Sequence, residues 1–258
     1  MNYFFDTHLK SLYKKETQQI RAMSENWVYH HMYCPNCGND FLMRSVNNSP
    51  VMDFQCKKCD ETYELKSTND EFDKKILGGA YSKMIQQIRT NMRPNLLLLQ
   101  YDETYKVNKM IIVPKFFIIP DIIEKRSPLS QNARRPGWVG CYILYNNIPN
   151  QGKLPIISDG RMIDRANVIA DYQKLQKLRI KSLSARGWLI DTLRCINMID
   201  SESDAFTLKD IYNYSDILKK KYPNNNNIEA KIRQQLQFLR DRGFVEFIDN
   251  QGLYKKLF

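Results

Sequence analysis

Four of the six cysteines fall into two pairs, Cys34-Pro35-Asn36-Cys37 and Cys56-Lys57-Lys58-Cys59, with eighteen residues between the pairs. Thiols at this spacing form two short knuckles that close a tetrahedral zinc site. Four thiolate ligands leave no open position for a substrate, so such a zinc is structural. Beside the second pair lie Asp53 and the run Glu64-Leu65-Lys66. If the flanking segments fold back as an antiparallel hairpin centred between Lys58 and Cys59, Asp53 falls opposite Glu64, with Cβ atoms about 5 Å apart. Lys66 lies two residues further and projects from the same face, whereas Leu65 turns to the opposite one, toward a core. Opposed carboxylates repel unless a hard divalent cation sits between them, and Mg2+ suits oxygen ligands. A lysine beside that cation can orient a water and help deprotonate it for attack on a phosphodiester. Cys141 and Cys195 have no partners at useful spacing and read as small buried apolar residues.

These groups need elements to hold them. Residues Thr7 to His31 contain neither Pro nor Gly and carry Leu9, Leu12, Tyr13, Ile20, Met23 and Trp27 in a helical period, which predicts one long amino-terminal helix. Short β-type runs follow at Val51 to Cys56, Thr62 to Ser67, Asn95 to Tyr101, Val107 to Val113 and Leu154 to Ser158. Between the second and third, Asp73 to Asn91 has helical spacing and ends before Pro94. Asp121 to Asn150, rich in Pro, Asn and Arg, reads as irregular loop, and Asp164 to Lys181 as a second helical stretch. The order predicts an α/β (α+β) core with an inserted four-cysteine zinc site over residues 1–181.

From Ser182 the pattern changes. Ser184 to Ile199, Thr207 to Tyr214 and Ile228 to Arg242 read as helices, the second opening on a Thr cap. Gly243 stops the third, and Phe244 to Ile248, the turn Asp249-Asn250-Gln251-Gly252 and Leu253 to Leu257 read as a hairpin. Three helices closed by a hairpin predict a carboxy-terminal winged-helix domain over residues 182–258, a fold that usually lays its third helix in the DNA major groove. Asn224 to Asn227 reads as a polar loop before that helix.

The chain of 258 residues carries a net charge of +11, which points to a polyanionic partner. Neither Leu96 to Leu99 nor Met110 to Ile119 is long enough to cross a membrane, and Met1 to Lys10 lacks the pattern of a secretory signal. The expectation is a bacterial cytoplasmic protein that meets no membrane. Candidate DNA contacts are the loop residues Arg126, Arg134, Arg135 and Trp138, arginines for phosphate or guanine and an indole for an apolar methyl. In the winged helix they are Lys231, Arg233 and Gln234 on faces of the third helix not claimed by its core residues, and Ser182, Ser184 and Arg186 at the start of the first. A non-catalytic methyl-DNA-binding winged-helix regulator with a structural zinc is the alternative to an enzyme, and it would have no use for Asp53, Glu64 and Lys66. A zinc-ribbon RNA-binding protein would explain the charge and cysteines but not the winged helix.

The constellation Asp53, Glu64, Leu65, Lys66 resembles the PD-(D/E)xK nucleases. Much of the remaining chain resembles their DpnI-like, methyl-directed restriction endonucleases: Trp27-Val28-Tyr29, Tyr33 to Gly38, Gly79-Ala80-Tyr81, Ala133-Arg134-Arg135, Gly137-Trp138, Arg186-Gly187-Trp188 and Lys231 to Leu236. Met52 stands where the family pattern writes Pro. The resemblance implies a PD-(D/E)xK nuclease core and a type II (IIM) enzyme, a monomer, that cuts double-stranded DNA at GATC bearing N6-methyladenine by Mg2+-dependent hydrolysis. It further implies that Asp53 and Glu64 hold Mg2+ with the Leu65 carbonyl, that Lys66 serves the attacking water, that Cys34, Cys37, Cys56 and Cys59 hold Zn2+, and that both domains read the methylated site.

Overall fold

The computed structural model describes residues 1–45, 52–200, 204–248 and 252–258. Along the chain run α1 (Glu16–His31), β1 (Met43–Arg44), β2 (Phe54–Gln55), β3 (Thr62–Thr68), β4 (Lys75–Ala80), α2 (Tyr81–Arg89), β5 (Asn95–Tyr101), β6 (Val107–Val113), β7 (Ile123–Lys125), β8 (Gly140–Leu144), β9 (Leu154–Ser158), β10 (Arg161–Met162) and α3 (Arg165–Gln176). Then follow α4 (Leu183–Met198), β11 (Ala205–Thr207), α5 (Leu208–Tyr212), α6 (Ser215–Lys221), α7 (Ile228–Arg240), β12 (Val245–Phe247) and β13 (Leu253–Lys256).

An unbroken apolar run marks a strand buried on both faces, and Leu96 to Leu99 supplies one. Leu97 and Leu99 enter a core with Met23, Trp27 and Val28 of α1, whereas Leu96 and Leu98 enter the core on the other side. β5 therefore sits at the centre of a seven-stranded sheet ordered β1-β2-β3-β5-β6-β9-β10, parallel to β3 and antiparallel to β6. β3 carries Glu64 and Lys66 on this central framework, so the candidate chemistry is mounted on a fixed strand.

Three expectations change. The amino-terminal helix is not continuous: Asp6 caps a 3-10 turn over Thr7–Leu12 by accepting from His8 N, and α1 begins only at Glu16. Leu12 and Tyr13 are exposed, so no apolar seam carries a helix through Lys14 and Lys15. The stretch predicted as a helix from Asp73 begins instead as β4, since two consecutive glycines, at about 1 kcal/mol each, disfavour a helix. Gly78 also lies against β8, where an added Cβ would stand 2.5 Å from Cys141 Sγ. The region 121–150 holds β7 and β8, which join β4 in a three-stranded sheet ordered β4-β8-β7, and only the connection between β7 and β8 is irregular.

The carboxy-terminal segment forms a winged helix with one helix more than predicted, α6. Thr207 caps α5 through a reciprocal box with Asp210, and β11, β13 and β12 form its sheet. The predicted strand residue Val51 and turn residues Asp249 to Gln251 lie outside the described residues. The two halves are not loosely tethered, because Trp188, Leu189 and Ile190 of α4 share one buried cluster with Phe116, Phe117 and Ile148. Gln151 and Asn197 exchange hydrogen bonds across the junction at 2.9 and 3.2 Å, and Lys221 pairs with Asp121 at 2.9 Å.

Candidate active site

The hairpin around the second knuckle has the register that the sequence predicts. Phe54 pairs with Tyr63 and Gln55 with Thr62, where the regular ladder ends; Asp53 and Glu64 lie just beyond it. Asp53 departs from the regular ladder, its N–H donating at 2.9 Å to the O of Tyr63, the residue paired with Phe54. Its carboxylate turns along β3 and accepts from Leu65 N at 2.8 Å, which fixes the rotamer. Glu64 Oε1 lies 2.8 Å from Lys66 Nζ. Leu65 leans into the α1 core, so Glu64 and Lys66 stand on the opposite face.

Two positive groups that sequence patterns did not single out complete this arrangement. Arg93, just before β5 and only 2% exposed, places Nη2 against Glu64 Oε2. Arg21 of α1 places Nη2 3.6 Å from Asp53 Oδ1. The charges separate the two acids. Burial raises the Asp53 carboxyl above its ordinary range, and the nearby Glu25 and Glu64 carboxylates raise it further, against the Leu65 N–H and Arg21. Burial would raise Glu64 as well, but Arg93 and Lys66 together hold it below the usual carboxylate range. Asp53, Glu64, Lys66, Arg21 and Glu25 line one cavity of about 550 Å³.

This donor set fits a hard divalent cation. Asp53 is a half-buried carboxylate pressed by two other acids, which is the charge imbalance that such an ion relieves. Glu25 is a third acid at the site, which no spacing rule could have found because α1 brings it in from far along the chain.

The cysteine site fits zinc more closely still. All four Sγ atoms of Cys34, Cys37, Cys56 and Cys59 lie within 4.8 Å of one another. Cys34 and Cys59 are 3.6 Å apart, as are Cys37 and Cys56, close to the roughly 3.8 Å edge of a tetrahedron with Zn–S bonds of about 2.3 Å. Both knuckles turn alike: Gly38 N donates to Cys34 O at 2.8 Å and Asp60 N to Cys56 O at 2.9 Å. Gly38 and Asp60, each following the second cysteine, adopt left-handed backbone at φ 69° and 57°. Burial would raise the Cys56 thiol, yet N–H groups of Lys58 and Cys59 lower it, favouring the thiolate a metal needs. The cluster joins β2 and β3 at their turn.

The other candidate residues spread over three surfaces. Trp138 packs over Gly140, where an added Cβ would stand 2.8 Å from the indole and 3.3 Å from Arg126 Cδ. Arg126 lies over the Tyr142 ring at 5.1 Å, while Arg134 and Arg135 are exposed at the loop tip. The loop is closed by Arg126 N to Gly140 O at 3.0 Å and Leu129 N to Trp138 O at 2.9 Å. On α7, Arg233 and Gln234 are exposed and Lys231 Nζ donates to Gln234 Oε1 at 2.6 Å. Arg233 also donates to Tyr212 OH at 2.6 Å. Ser182 caps α4 by accepting from Ala185 N, and Ser184 is exposed. Arg186 differs from expectation: it is 4% exposed and donates to Asn91 Oδ1 at 2.8 Å, so it faces the domain junction.

Comparison with known families gives two matches. The model of the family described as DpnI, the Dam-replacing family, matches residues 1–181, and that of DpnI_C, the Dam-replacing HTH domain, matches residues 184–256.

Proposed function

This chain belongs to the DpnI, Dam-replacing family, followed by that family's HTH domain, and from that premise we propose that it is a type II endonuclease cleaving GATC whose adenines carry an N6-methyl group. Membership brings a nuclease and a DNA partner; the methylated GATC target is what the resemblance to DpnI-like enzymes implies, and the Mg2+ requirement is inferred from the acids of the site. The observation that carries the reading is the single cavity that Asp53, Glu64 and Lys66 line together, with Lys66 held on a Glu64 oxygen.

Asp53, Glu64 and the Leu65 carbonyl would hold Mg2+. When bound, that ion supplies charge to stabilise the phosphoryl oxygens and to acidify a water. The chain's own residues do the positioning. The Leu65 N–H aims the Asp53 carboxylate. Arg93 holds one Glu64 oxygen, and Lys66 holds the other. Lys66, partly exposed at 28%, has donors to spare for a water on the cavity side, where it lowers the cost of forming hydroxide. The cysteine cluster with its zinc locks the turn between the two strands, so the acids cannot slip by a residue and part.

Specificity falls to the surfaces named above. Trp138 offers an indole to an N6-methyl, which stays in the major groove when adenine pairs with thymine, and Arg126, Arg134 and Arg135 offer charge to phosphate or guanine. Lys231, Arg233 and Gln234 present a second reading surface on α7. A non-catalytic reader would gain nothing from acids pressed against a buried arginine. Asp53→Ala should abolish cleavage of methylated plasmid while binding of methylated duplex persists within a few fold. Near-normal Mg2+-dependent cleavage by that variant removes Asp53 from the site.

A further inference from the structure

A second cavity, of about 340 Å³, opens at the junction of the amino-terminal domain and the winged helix. Five cations from separate stretches of chain line it: Arg93, Lys115, Arg179, Lys181 and Arg186, with Asn91 among them. Two carboxylates answer these charges. Glu61 takes Lys115 Nζ at 2.8 Å and stands 4.0 Å from Arg179 Nη1, and Glu64 takes Arg93. Among the described residues no ion pair includes Lys181 or Arg186.

Hydrogen bonding is incomplete as well. Arg93 and Arg186 are 2% and 4% exposed, yet Arg93 Nε and Nη1 and Arg186 Nε have no hydrogen-bond partner among the described residues. Buried polar groups are nearly always satisfied, and an unpaired charged donor is the costliest exception. Water could accept from these groups but would leave five cations facing two carboxylates. Guanidinium forks converging on a small cavity match a tetrahedral oxyanion.

We propose that this junction is an anion site that binds a phosphate group, separate from the acid pair and joined to it by Arg93. The phosphate comes either from the backbone of a duplex spanning both domains or from a free phosphate compound. Arg93 is common to both sites: Nη2 meets Glu64, and Nε and Nη1 remain for the anion.

The test uses the full chain. Inorganic phosphate is titrated calorimetrically at constant ionic strength with chloride as the balancing anion, in wild type and in Arg179→Gln/Lys181→Gln, both exposed residues whose loss leaves the fold intact. Saturable phosphate binding that weakens roughly tenfold or more in the double variant is the expected result. A second arm measures duplex binding against salt. If a DNA phosphate is the occupant, inorganic phosphate competes with duplex, and the variant's log K against log salt slope falls by about one to two units. If the occupant is free, duplex affinity and slope stay unchanged while phosphate binding weakens. Phosphate that binds no better than chloride, or equally well to both proteins, overturns the proposal. Only the duplex arm depends on the proposed nuclease function; the phosphate arm reads the junction without DNA, so the two failures are distinguishable.

Discussion

Replacing Arg93 with methionine keeps much of the stem's volume and removes the charge that Glu64 depends on. Glu64 is 7% exposed and Arg93 2% exposed, so water cannot substitute for the lost partner. Breaking a buried ion pair from one side costs about 3–5 kcal/mol, because the remaining charge is stranded. Lys66 stays at 2.8 Å from Oε1 and is 28% exposed, which places the expected loss at the lower end, about 3 kcal/mol. The sign with pH is specific. In the wild type Glu64 is held below its ordinary value, so its ionisation contributes stability that is complete above about pH 4.3 and fades as pH falls through the lower folded value. Burial is already the largest single influence on Glu64, outweighed only by Arg93 and Lys66 together, so without Arg93 it is expected to lift the folded value above the unfolded one. The carboxyl then stabilises as the neutral acid, and stability declines as pH rises from about 4.3 through the raised value. Urea denaturation of wild type, Arg93→Met, Glu64→Gln and the double variant across this range measures both effects. The double variant should recover about 1 kcal/mol or more of the sum of the single losses. A loss below about 1 kcal/mol, or an unchanged pH slope, contradicts the burial and pairing argument.

Metal analysis of the purified protein should give about one zinc per chain, and Cys34→Ser or chelation should lower unfolding stability without changing the sequence cut. A folded protein free of zinc would refute this. Gly140→Ala forces a Cβ to within 2.8 Å of the Trp138 indole, so it should tilt the ring. If the indole covers the methyl, preference for methylated over unmethylated duplex should fall by less than tenfold, since one methyl is worth about 1 kcal/mol. Unchanged preference in both Gly140→Ala and Trp138→Ala assigns methyl reading to α7.

The β2–β3 hairpin was legible because two independent rules converge on it. The knuckle fixes where the chain turns, and strand alternation then dictates which side chains meet. The central strands were legible for a similar reason, since Leu96 to Leu99 has no polar face to expose. β4 was not legible: Ile76, Leu77 and Ala80 fall at helical spacing, and only Gly78-Gly79 carried the contrary signal. β7 and β8 are short and sit among Pro and Asn, and they become strands by pairing with each other and β4, a tertiary fact. α6 escaped because Ile217 and Leu218 are its only apolar residues and a lysine run follows them. Glu25, Arg21 and Arg93 were missed because long-range packing of α1 and of the segment before β5 brings them to the acids. Arg186 sits in the first turn of α4, where exposure would be expected, but domain docking covers it.

Dependence of cleavage on adenine methylation tests the proposed function most directly. One plasmid is prepared from cells with and without adenine methylation at GATC and digested with the purified protein in Mg2+. The expected result is fragments ending at every GATC of the methylated plasmid, little or no cutting of the unmethylated one, and none of either when EDTA replaces Mg2+. Equal cutting of both preparations, or binding of the methylated plasmid with no cleavage in Mg2+, would contradict it.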